Sequence, residues 1–384
     1  MGNASNVEIA RSRIERLRQE LTARELDAFY VRDVSNIAWL SAFEGVFDGE
    51  SAHAAYVDSG ESSLHTDSRY SAAFQAAAAG GPWRVDDDAV THAKWLRARL
   101  GADVRLGIEQ SMTLGEFRRL ERELSEEGRA SDEDAGMPVA RGVELCETSG
   151  FVVALRAVKD AFEVECLRAA QAVTDAAFAH MRGFIKPGMT EREVQIELED
   201  FMLRNGGSGL AFSSIVATGP NGASPHAIPG DTPLEAGQCV VMDFGAKARG
   251  YCSDMTRMVF LGEPDARMRQ AYAVLRDANE QVEAMLRPGV TGAQAHQLAE
   301  DVLLAGGFGG KMGHSLGHGV GIDIHEEPVL ALRNKAPLVA GNVVTVEPGI
   351  YLEGEFGMRL EDCGIVTDEG FDVFTQSTHE MVVI

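Results

Sequence analysis

Four acidic residues interrupt apolar, strand-like runs in the carboxyl-terminal part of this 384-residue chain. They are Asp243 in CVVMDFG, Asp254 in YCSDMTRMVF, Glu347 in VVTVEPGIYL and Glu361 in MRLEDCGIVT. An ionised carboxylate inside a buried strand is costly unless it is paired or bound to a cation. A fold that buries these runs must therefore supply the carboxylates with positive charge, and a shared metal site is the economical explanation.

A histidine-rich and glycine-rich segment, MGHSLGHGVGIDIHEEP, occupies residues 312–328, between the two pairs of acidic runs. It contains His314, His318 and His325, and its glycines allow backbone conformations that bulky residues avoid. One interpretation is a glycine-rich loop with solvated imidazoles. The acidic runs on either side favour the other interpretation, in which His318 completes a metal site.

The acidic residues are spaced as two hairpins would space them. A short glycine-containing stretch separates Asp243 from Asp254, and PGIYLEGEFGM lies between Glu347 and Glu361. Two hairpins that each deliver two carboxylates would bring all four to one place. Mostly oxygen ligands with one imidazole favour Mn, Co or Zn, and this many ligands could hold two ions about 4 Å apart.

Two similar phrases occur in the same part of the chain, KPGMT to NGG at residues 186–207 and RPGVT to AGG at residues 287–307. In each, a Pro-Gly turn precedes a threonine N-cap candidate and a helix that ends in glycines. His226 follows the first copy and His314 the second. The repetition indicates an internal duplication and a site between the two halves. Chance recurrence of a common turn is the alternative.

The amino-terminal third alternates strand-like runs with helical patterns, which indicates an α/β layer arrangement. It contains no GxxxxGK motif and no GxGxxG after a strand, so a nucleotide site is not expected there. The acidic stretch 125–150 contains Gly and Pro and lacks a clear period. We therefore place a domain boundary there and predict two domains, residues 1–140 and residues 141–384.

Composition limits the partners of the chain. Lys and Arg total 35 against 59 Asp and Glu, a net charge of −24, which argues against a nucleic-acid or anionic-membrane surface. The five cysteines form no CxxC pair and fit a reduced cytosolic protein. The amino terminus lacks an apolar signal-peptide core, and no later run approaches a membrane span. A cytoplasmic protein that binds neither nucleic acid nor membrane is expected.

The ordered motifs DFG, SDMTR, GHSLGHGVGIDIHEEP, VEPGIY and RLED resemble those of metallopeptidase family M24, which includes prolidase, aminopeptidase P, methionine aminopeptidase and creatinase. The phrase NIAWLSAF resembles, more loosely, the amino-terminal domain of prolidase, aminopeptidase P and creatinase. The resemblance implies an α+β fold class. A carboxyl-terminal pita-bread fold with a pseudo-two-fold internal repeat would follow a smaller α/β creatinase-like domain.

The resemblance also implies the metal ligands and the ions that they hold. The ligands would be Asp243, Asp254, His318, Glu347 and Glu361. Asp254 and Glu361 would bridge two divalent ions, with manganese expected first and cobalt or zinc as alternatives.

Further residues match the family's substrate pocket, namely His226, His314, His325 and Arg359. His325 would donate to the developing oxyanion, with His314 assisting at the substrate amide. Glu347 would also carry a proton from the attacking water to the leaving nitrogen. A structural role is the alternative for His226 and for Arg359, since an arginine beside carboxylates can orient them.

The implied activity is hydrolysis of the bond between an amino-terminal residue and proline by a metal-bridging hydroxide. Prolidase activity on dipeptides is favoured over aminopeptidase P activity on longer peptides, because the chain is compact. The partner would be a peptide with proline in second position, and the resemblance also implies a homodimer. A metal-dependent hydrolase or lyase of a non-peptide small molecule is an alternative, because one fold hosts varied chemistries. A catalytically inactive peptide-binding protein is another, against which the intact ligand set argues.

Overall fold

The structure, a computed structural model, describes residues 3–125 and 142–384. Contacts divide the chain into two compact units, Met1–Leu155 and Arg156–Ile384. The predicted boundary between residues 140 and 141 falls outside the described residues and stays a prediction. Among the described residues, no helix combines the length and the apolar character needed to cross a membrane.

The first unit is built on one mixed sheet with helices around it, as the alternating pattern predicted. Its strands are β1 (Ala28–Val31), β2 (Ala54–Asp58), β3 (Ser62–His65), β4 (Arg84–Asp86), β5 (Arg105–Glu109) and β6 (Glu144–Thr148). They lie in the order β4-β3-β2-β1-β5-β6, antiparallel at β1–β2 and β2–β3 and parallel elsewhere. The helices are α1 (Asn3–Ala23), α2 (Val34–Ser41), α3 (Ser71–Ala78), α4 (His92–Arg97) and α5 (Leu114–Leu124), followed by α6 (Phe151–Arg156), which spans the division between the units.

The second unit combines four long helices with several small sheets, in which antiparallel pairing predominates. Its helices are α7 (Ala161–Phe184), α8 (Glu191–Arg204), α9 (Ala266–Met285) and α10 (Gly292–Ala305). Its strands are β7 (Gly209–Leu210), β8 (Ile215–Thr218), β9 (Cys239–Phe244), β10 (Ala246–Ala248), β11 (Tyr251–Cys252), β12 (Met255–Phe260), β13 (Gly317–Gly319), β14 (Glu326–Leu330), β15 (Val343–Val346), β16 (Gly349–Leu352), β17 (Phe356–Arg359), β18 (Asp362–Thr367), β19 (Gly370–Val373) and β20 (Val382–Val383). The two larger sheets have the orders β20-β12-β9-β8 and β14-β13-β15-β18-β19.

The internal repeat predicted from the sequence recurs in backbone detail. Thr190 caps α8 and Thr291 caps α10, each through a capping box with the residue three positions on. Each threonine also forms an isolated antiparallel bridge to a proline further along the chain, Pro233 in the first copy and Pro337 in the second. Because the same local contacts recur in both copies, the resemblance of the two phrases reflects shared structure.

Side-chain alternation along the strands decides which residues face the helices. On β9, Met242 packs in the apolar cluster that includes residues of α7 and α8, whereas Val241 packs in a separate cluster with residues of α9 and α10. Since successive residues of a strand point to opposite faces, Asp243 lies on the Val241 side. On β15, Val344 and Val346 pack with α9 and α10. The strand alternation that puts these valines against the helices turns Glu347, the next residue, away from them.

Candidate metal centre

Two antiparallel strand pairs carry the four acidic residues. In the register of β9 and β12, Asp243 is paired with Thr256, and Asp254 lies two positions before Thr256 on the same face. In the register of β15 and β18, Val346 is paired with Asp362, so Glu347 and Glu361 come next to each other just beyond the paired ends. The predicted hairpin arrangement therefore holds for both pairs.

His318, on the short strand β13, meets these carboxylates. Its Nε2 atom lies 3.4 Å from Asp254 Oδ2 and 3.5 Å from Glu347 Oε1. One ligand atom each from Asp254, His318 and Glu361 lie within 4.8 Å of one another. The charge of Asp243 contributes to the pKa shifts of Asp254, Glu347 and Glu361 and so belongs to the same site. The structure thus gathers the five residues that sequence reasoning proposed as ligands.

The electrostatics of this site call for added positive charge. Burial raises the pKa of Asp254 and of Glu361 well above the ordinary carboxyl range, and neighbouring carboxylates raise both further. Burial also raises the pKa of Glu347 to about 8, with Asp243 contributing. Asp243 Oδ1 is buried and has no hydrogen-bond partner among the residues that the structure describes. A bound cation would offset the mutual repulsion and the burial cost of these carboxylates.

The tautomer of His318 also fits a metal ligand. Its Nδ1 lies 3.0 Å from the Gly319 carbonyl oxygen, which can only accept, so Nδ1 carries the proton. Burial lowers the pKa of His318 to about 4, so the ring is neutral at pH 7 and Nε2 presents a lone pair to the carboxylates. Metal-binding histidines commonly donate their second ring nitrogen to a carbonyl in this way. The donor set and its orientation therefore fit a divalent cation.

Arg359 connects the candidate ligands to one another. Its Nη2 donates to Asp243 Oδ2, and its Nε donates to Thr256 Oγ1 at 2.9 Å. The Thr256 hydroxyl donates in turn to Glu361 Oε2 at 2.7 Å. Arg359 is 3 % exposed, so its charge is held inside the site. This geometry favours the orienting role that sequence reasoning gave as the alternative for Arg359.

Sequence reasoning missed Tyr351 and Thr256. The Tyr351 hydroxyl lies 2.6 Å from Arg359 Nη1 and 3.1 Å from His314 Nε2. Tyr351 ends the motif VEPGIY, and its own side chain carried no role in the sequence prediction. Thr256 lies two positions after Asp254, and that spacing in a strand was the available signal for its sharing the site.

The three histidines predicted to line the substrate pocket lie at different places around the site. His325 is exposed, and its ring centroid is 4.5 Å from that of His318. His314 donates from Nδ1 to the Ser315 carbonyl at 2.7 Å and accepts from Tyr351 at Nε2. Burial lowers the pKa of His314 to about 4. The exposed His226 follows Pro225, whose carbonyl oxygen lies 3.4 Å from Arg359 Nη1.

Comparison with known proteins agrees with this geometry. Residues 165–368 match the model of metallopeptidase family M24, and residues 13–158 match the creatinase/prolidase N-terminal domain. The uncharacterized peptidase YqhT of Bacillus subtilis is 34% identical over 379 residues, which is 97% of this chain and 100% of that protein.

Solved structures give the same result for the fold. The Xaa-Pro dipeptidase from Bacillus anthracis has a TM-score of 0.86 at 32% identity, covering 98% of this chain and 100% of that one. The X-Pro aminopeptidase from Thermotoga maritima has a TM-score of 0.82 at 30% identity, covering 97% and 100%. The predicted pita-bread fold with a creatinase-like first domain is therefore confirmed. The chain belongs to metallopeptidase family M24.

Proposed function

We propose that this protein hydrolyses the bond between an amino-terminal residue and proline, with dipeptides as the preferred substrates. The observation that carries the proposal is the convergence of Asp243, Asp254, His318, Glu347 and Glu361 at one buried site. The similarity to the Xaa-Pro dipeptidase from Bacillus anthracis supports the dipeptide preference.

These five residues would hold two divalent cations, manganese first and cobalt or zinc otherwise. Oxygen-rich donor sets with one imidazole suit all three metals. When bound, such cations lower the pKa of water and polarise the scissile carbonyl. Arg359 would hold the carboxylates in place through Asp243 and through Thr256.

The residues around the ligands divide the remaining work. Glu347 would take a proton from the attacking water and deliver it to the leaving prolyl nitrogen. His325, exposed beside His318, would donate a hydrogen bond to the oxygen on which charge develops, an interaction typically worth a few kcal/mol. His314 Nε2 accepts from Tyr351, and a prolyl amide has no N–H to give it, so assistance at the substrate amide would require the proton to move from Nδ1 to Nε2. His226 would line the pocket from the connection between β8 and β9.

Proline on the leaving side suits this kind of site. An Xaa-Pro bond has no N–H, and its ring fixes φ, so proteases that hold the substrate backbone as an added strand accept it poorly. A pocket that polarises the carbonyl directly does not need that N–H. The homodimer carries over into the proposal from the family resemblance and the cytoplasmic location from the composition, and sedimentation of the full chain tests the homodimer.

Aminopeptidase P activity on longer peptides is the second candidate, supported by the similarity to the X-Pro aminopeptidase from Thermotoga maritima. The deciding experiment compares Ala-Pro with Ala-Pro-Ala, using metal-stripped protein resupplied with Mn²⁺, Co²⁺ or Zn²⁺. Cleavage of the dipeptide alone supports the proposal, and cleavage of the tripeptide supports the second candidate. If neither peptide is cleaved by metal-loaded protein, peptide hydrolysis is the wrong activity for this site.

A further inference from the structure

A cluster of four charged residues, three of them buried, adjoins the segment that carries His325. Arg156 and Lys159 bring two positive charges, and Asp323 and Glu326 bring two negative charges, so the cluster is neutral as a set. Glu326 is its centre, because its carboxylate accepts from Lys159 Nζ at 2.7 Å and from Arg156 Nη2. Arg156 Nη2 also donates to Asp323 Oδ2 at 2.7 Å. The proposed reaction uses none of these four residues directly.

Glu326 lies at the buried centre of this cluster, between two cationic side chains. The side chains of Arg156, Lys159 and Glu326 are 3%, 0% and 4% exposed. Burial works against ionisation of Glu326, yet Lys159 and Arg156 hold its pKa below the ordinary value. Charges kept in such a setting are costly unless each is paired. Because each of these charges is paired, the cluster ties the chain around Arg156 and Lys159 to the chain around Asp323 and Glu326.

The carboxylate of Glu326 closes the turn that precedes it. Its Oε1 accepts from the Asp323 backbone N–H at 3.1 Å. Within that turn, the Gly321 N–H donates to the Asp323 carbonyl at 3.0 Å, and the Gly321 carbonyl accepts from the Cys252 N–H at 2.8 Å. A Cβ atom at Gly321 would collide with the Glu326 carboxylate, so glycine is needed for this approach. His325, the residue just before Glu326, therefore follows a turn in which the backbone N–H and carbonyl groups of Gly321 and Asp323 are hydrogen-bonded.

The backbone that carries Arg156 and Lys159 is itself held by hydrogen bonds. The Lys159 N–H donates to the Gly341 carbonyl at 2.8 Å. Asn342 Nδ2 donates to the Ala157 carbonyl at 2.9 Å, and Val158 forms an antiparallel bridge with Asn342. Lys159 Nζ also donates to the Arg156 carbonyl at 2.9 Å. These hydrogen bonds fix the position of the Lys159 ammonium group, and the ion pair with that group fixes the Glu326 carboxylate.

We propose that Lys159, acting through Glu326, is a positioning residue that holds the imidazole of His325 beside His318. The inference rests on the proposed function, because that function gives His325 its hydrogen bond to the developing oxyanion. The exposed imidazole of His325 does not fix its own position, so the hydrogen-bonded backbone on either side of His325 must do so. The ion pair between Lys159 and Glu326 holds that backbone in place, and Lys159 comes from a segment far away in the chain.

The test replaces Lys159→Met, which keeps the length of the side chain and leaves Arg156 to pair with Glu326. We expect kcat on Ala-Pro to fall about tenfold to a hundredfold, because small misplacements of a reacting group have effects of that size. Metal content, measured by mass spectrometry, should be unchanged. In a His325→Ala background the same substitution should change kcat less than about twofold, because the residue that it positions is absent. Glu326→Gln, which preserves shape, should behave in the same way.

A second readout does not depend on activity. Hydrogen exchange of the amides in residues 320–325 should speed up in Lys159→Met and in Glu326→Gln, with other segments unchanged. The control is Arg168→Met, which removes an exposed ion pair with Asp372 and should alter neither readout.

Equal losses of kcat with and without His325 would overturn the inference, as would unchanged exchange in residues 320–325. If the parent protein cleaves neither peptide, the proposed function fails by itself. In that event the exchange measurement alone decides whether Lys159 positions the turn.

Discussion

At the scale of single residues, burial and mutual repulsion change the pKa values of the acids at the candidate metal centre. Burial raises the pKa of Asp254, Glu347 and Glu361, and the charge of Asp243 raises all three further. Arg359 brings one positive charge to a site with four carboxylates. The metal-free site is therefore a source of instability that bound cations should remove.

We predict that the metal-free protein loses stability as the pH rises from about 5 to about 8. Burial raises the pKa of Glu347 to about 8 in the folded chain, whereas an unfolded glutamate titrates near about 4.3. The folded state thus binds more protons than the unfolded state in this range. Each pKa unit of difference costs roughly 1.4 kcal/mol once both states are ionised.

Thermal unfolding of EDTA-treated protein at the two ends of this range, with and without added Mn²⁺, measures the effect. Glu347→Gln removes one of the three carboxyls with a raised pKa and should reduce the pH dependence of the metal-free protein. An identical slope in that variant would show that other groups cause the loss.

His325→Ala should lower kcat on Ala-Pro by about a hundredfold to a thousandfold, the usual loss for one oxyanion donor. Metal content should be unchanged, because His325 contacts the ring of His318 from outside the group of proposed ligands. Steady-state kinetics with metal analysis of the same sample provides the measurement. An unchanged kcat would make His325 a structural residue.

At the scale of elements, glycines decide how closely strands approach one another near the site. A Cβ atom at Gly317, on β13, would collide with the Thr345 carbonyl of the neighbouring strand β15. A strand with any larger residue there would have to move, and His318 would move with it. In contrast, a Cβ at Gly183, near the end of α7, would meet open space.

We therefore predict opposite effects of two identical substitutions. Gly317→Ala should lower the free energy of unfolding by about 1–3 kcal/mol through overpacking, and it should weaken metal binding. Gly183→Ala should raise it by roughly 0.5–1 kcal/mol, since alanine costs less backbone entropy in a helix. Thermal unfolding and metal titration of both variants test this. A stable, metal-competent Gly317→Ala protein would show that β13 can shift without cost.

At the scale of the whole molecule, each of the two units has its own probe. All three tryptophans, Trp39, Trp83 and Trp95, lie in the first unit. The proposed metal ligands all lie in the second. Tryptophan fluorescence therefore follows one unit, and metal binding acts on the other.

Asp254→Asn and Glu361→Gln should lose bound metal and peptidase activity while the tryptophan fluorescence of the folded protein stays the same. Excess metal stabilises the parent by about 2.7 kcal/mol at a hundred times its dissociation constant. That gain should appear in circular dichroism and be absent in both variants. Full activity in either variant would contradict a site that needs both carboxylates, and a changed fluorescence spectrum would contradict separate folding of the first unit.

Local sequence carries information about periodicity, capping and turn chemistry, and those parts of the structure could be predicted. The alternation around Asp243 and Glu347 indicated strands with one acidic position, and Thr190 and Thr291 indicated two equivalent helix starts. The family motifs added the fold. These features depend on neighbours a few residues apart, which is why the chain by itself determined them.

Contacts between distant segments depended on the tertiary structure. Thr256 meets Glu361, Tyr351 joins His314 to Arg359, and the Lys159 ammonium reaches Glu326. None of these pairs has a spacing that a helix or strand period would reveal, because each depends on how separate elements pack. The sequence by itself thus determined which residues could form a metal centre. Only the folded arrangement decided their partners, protonation and orientation, since burial and long-range hydrogen bonds exist only after packing.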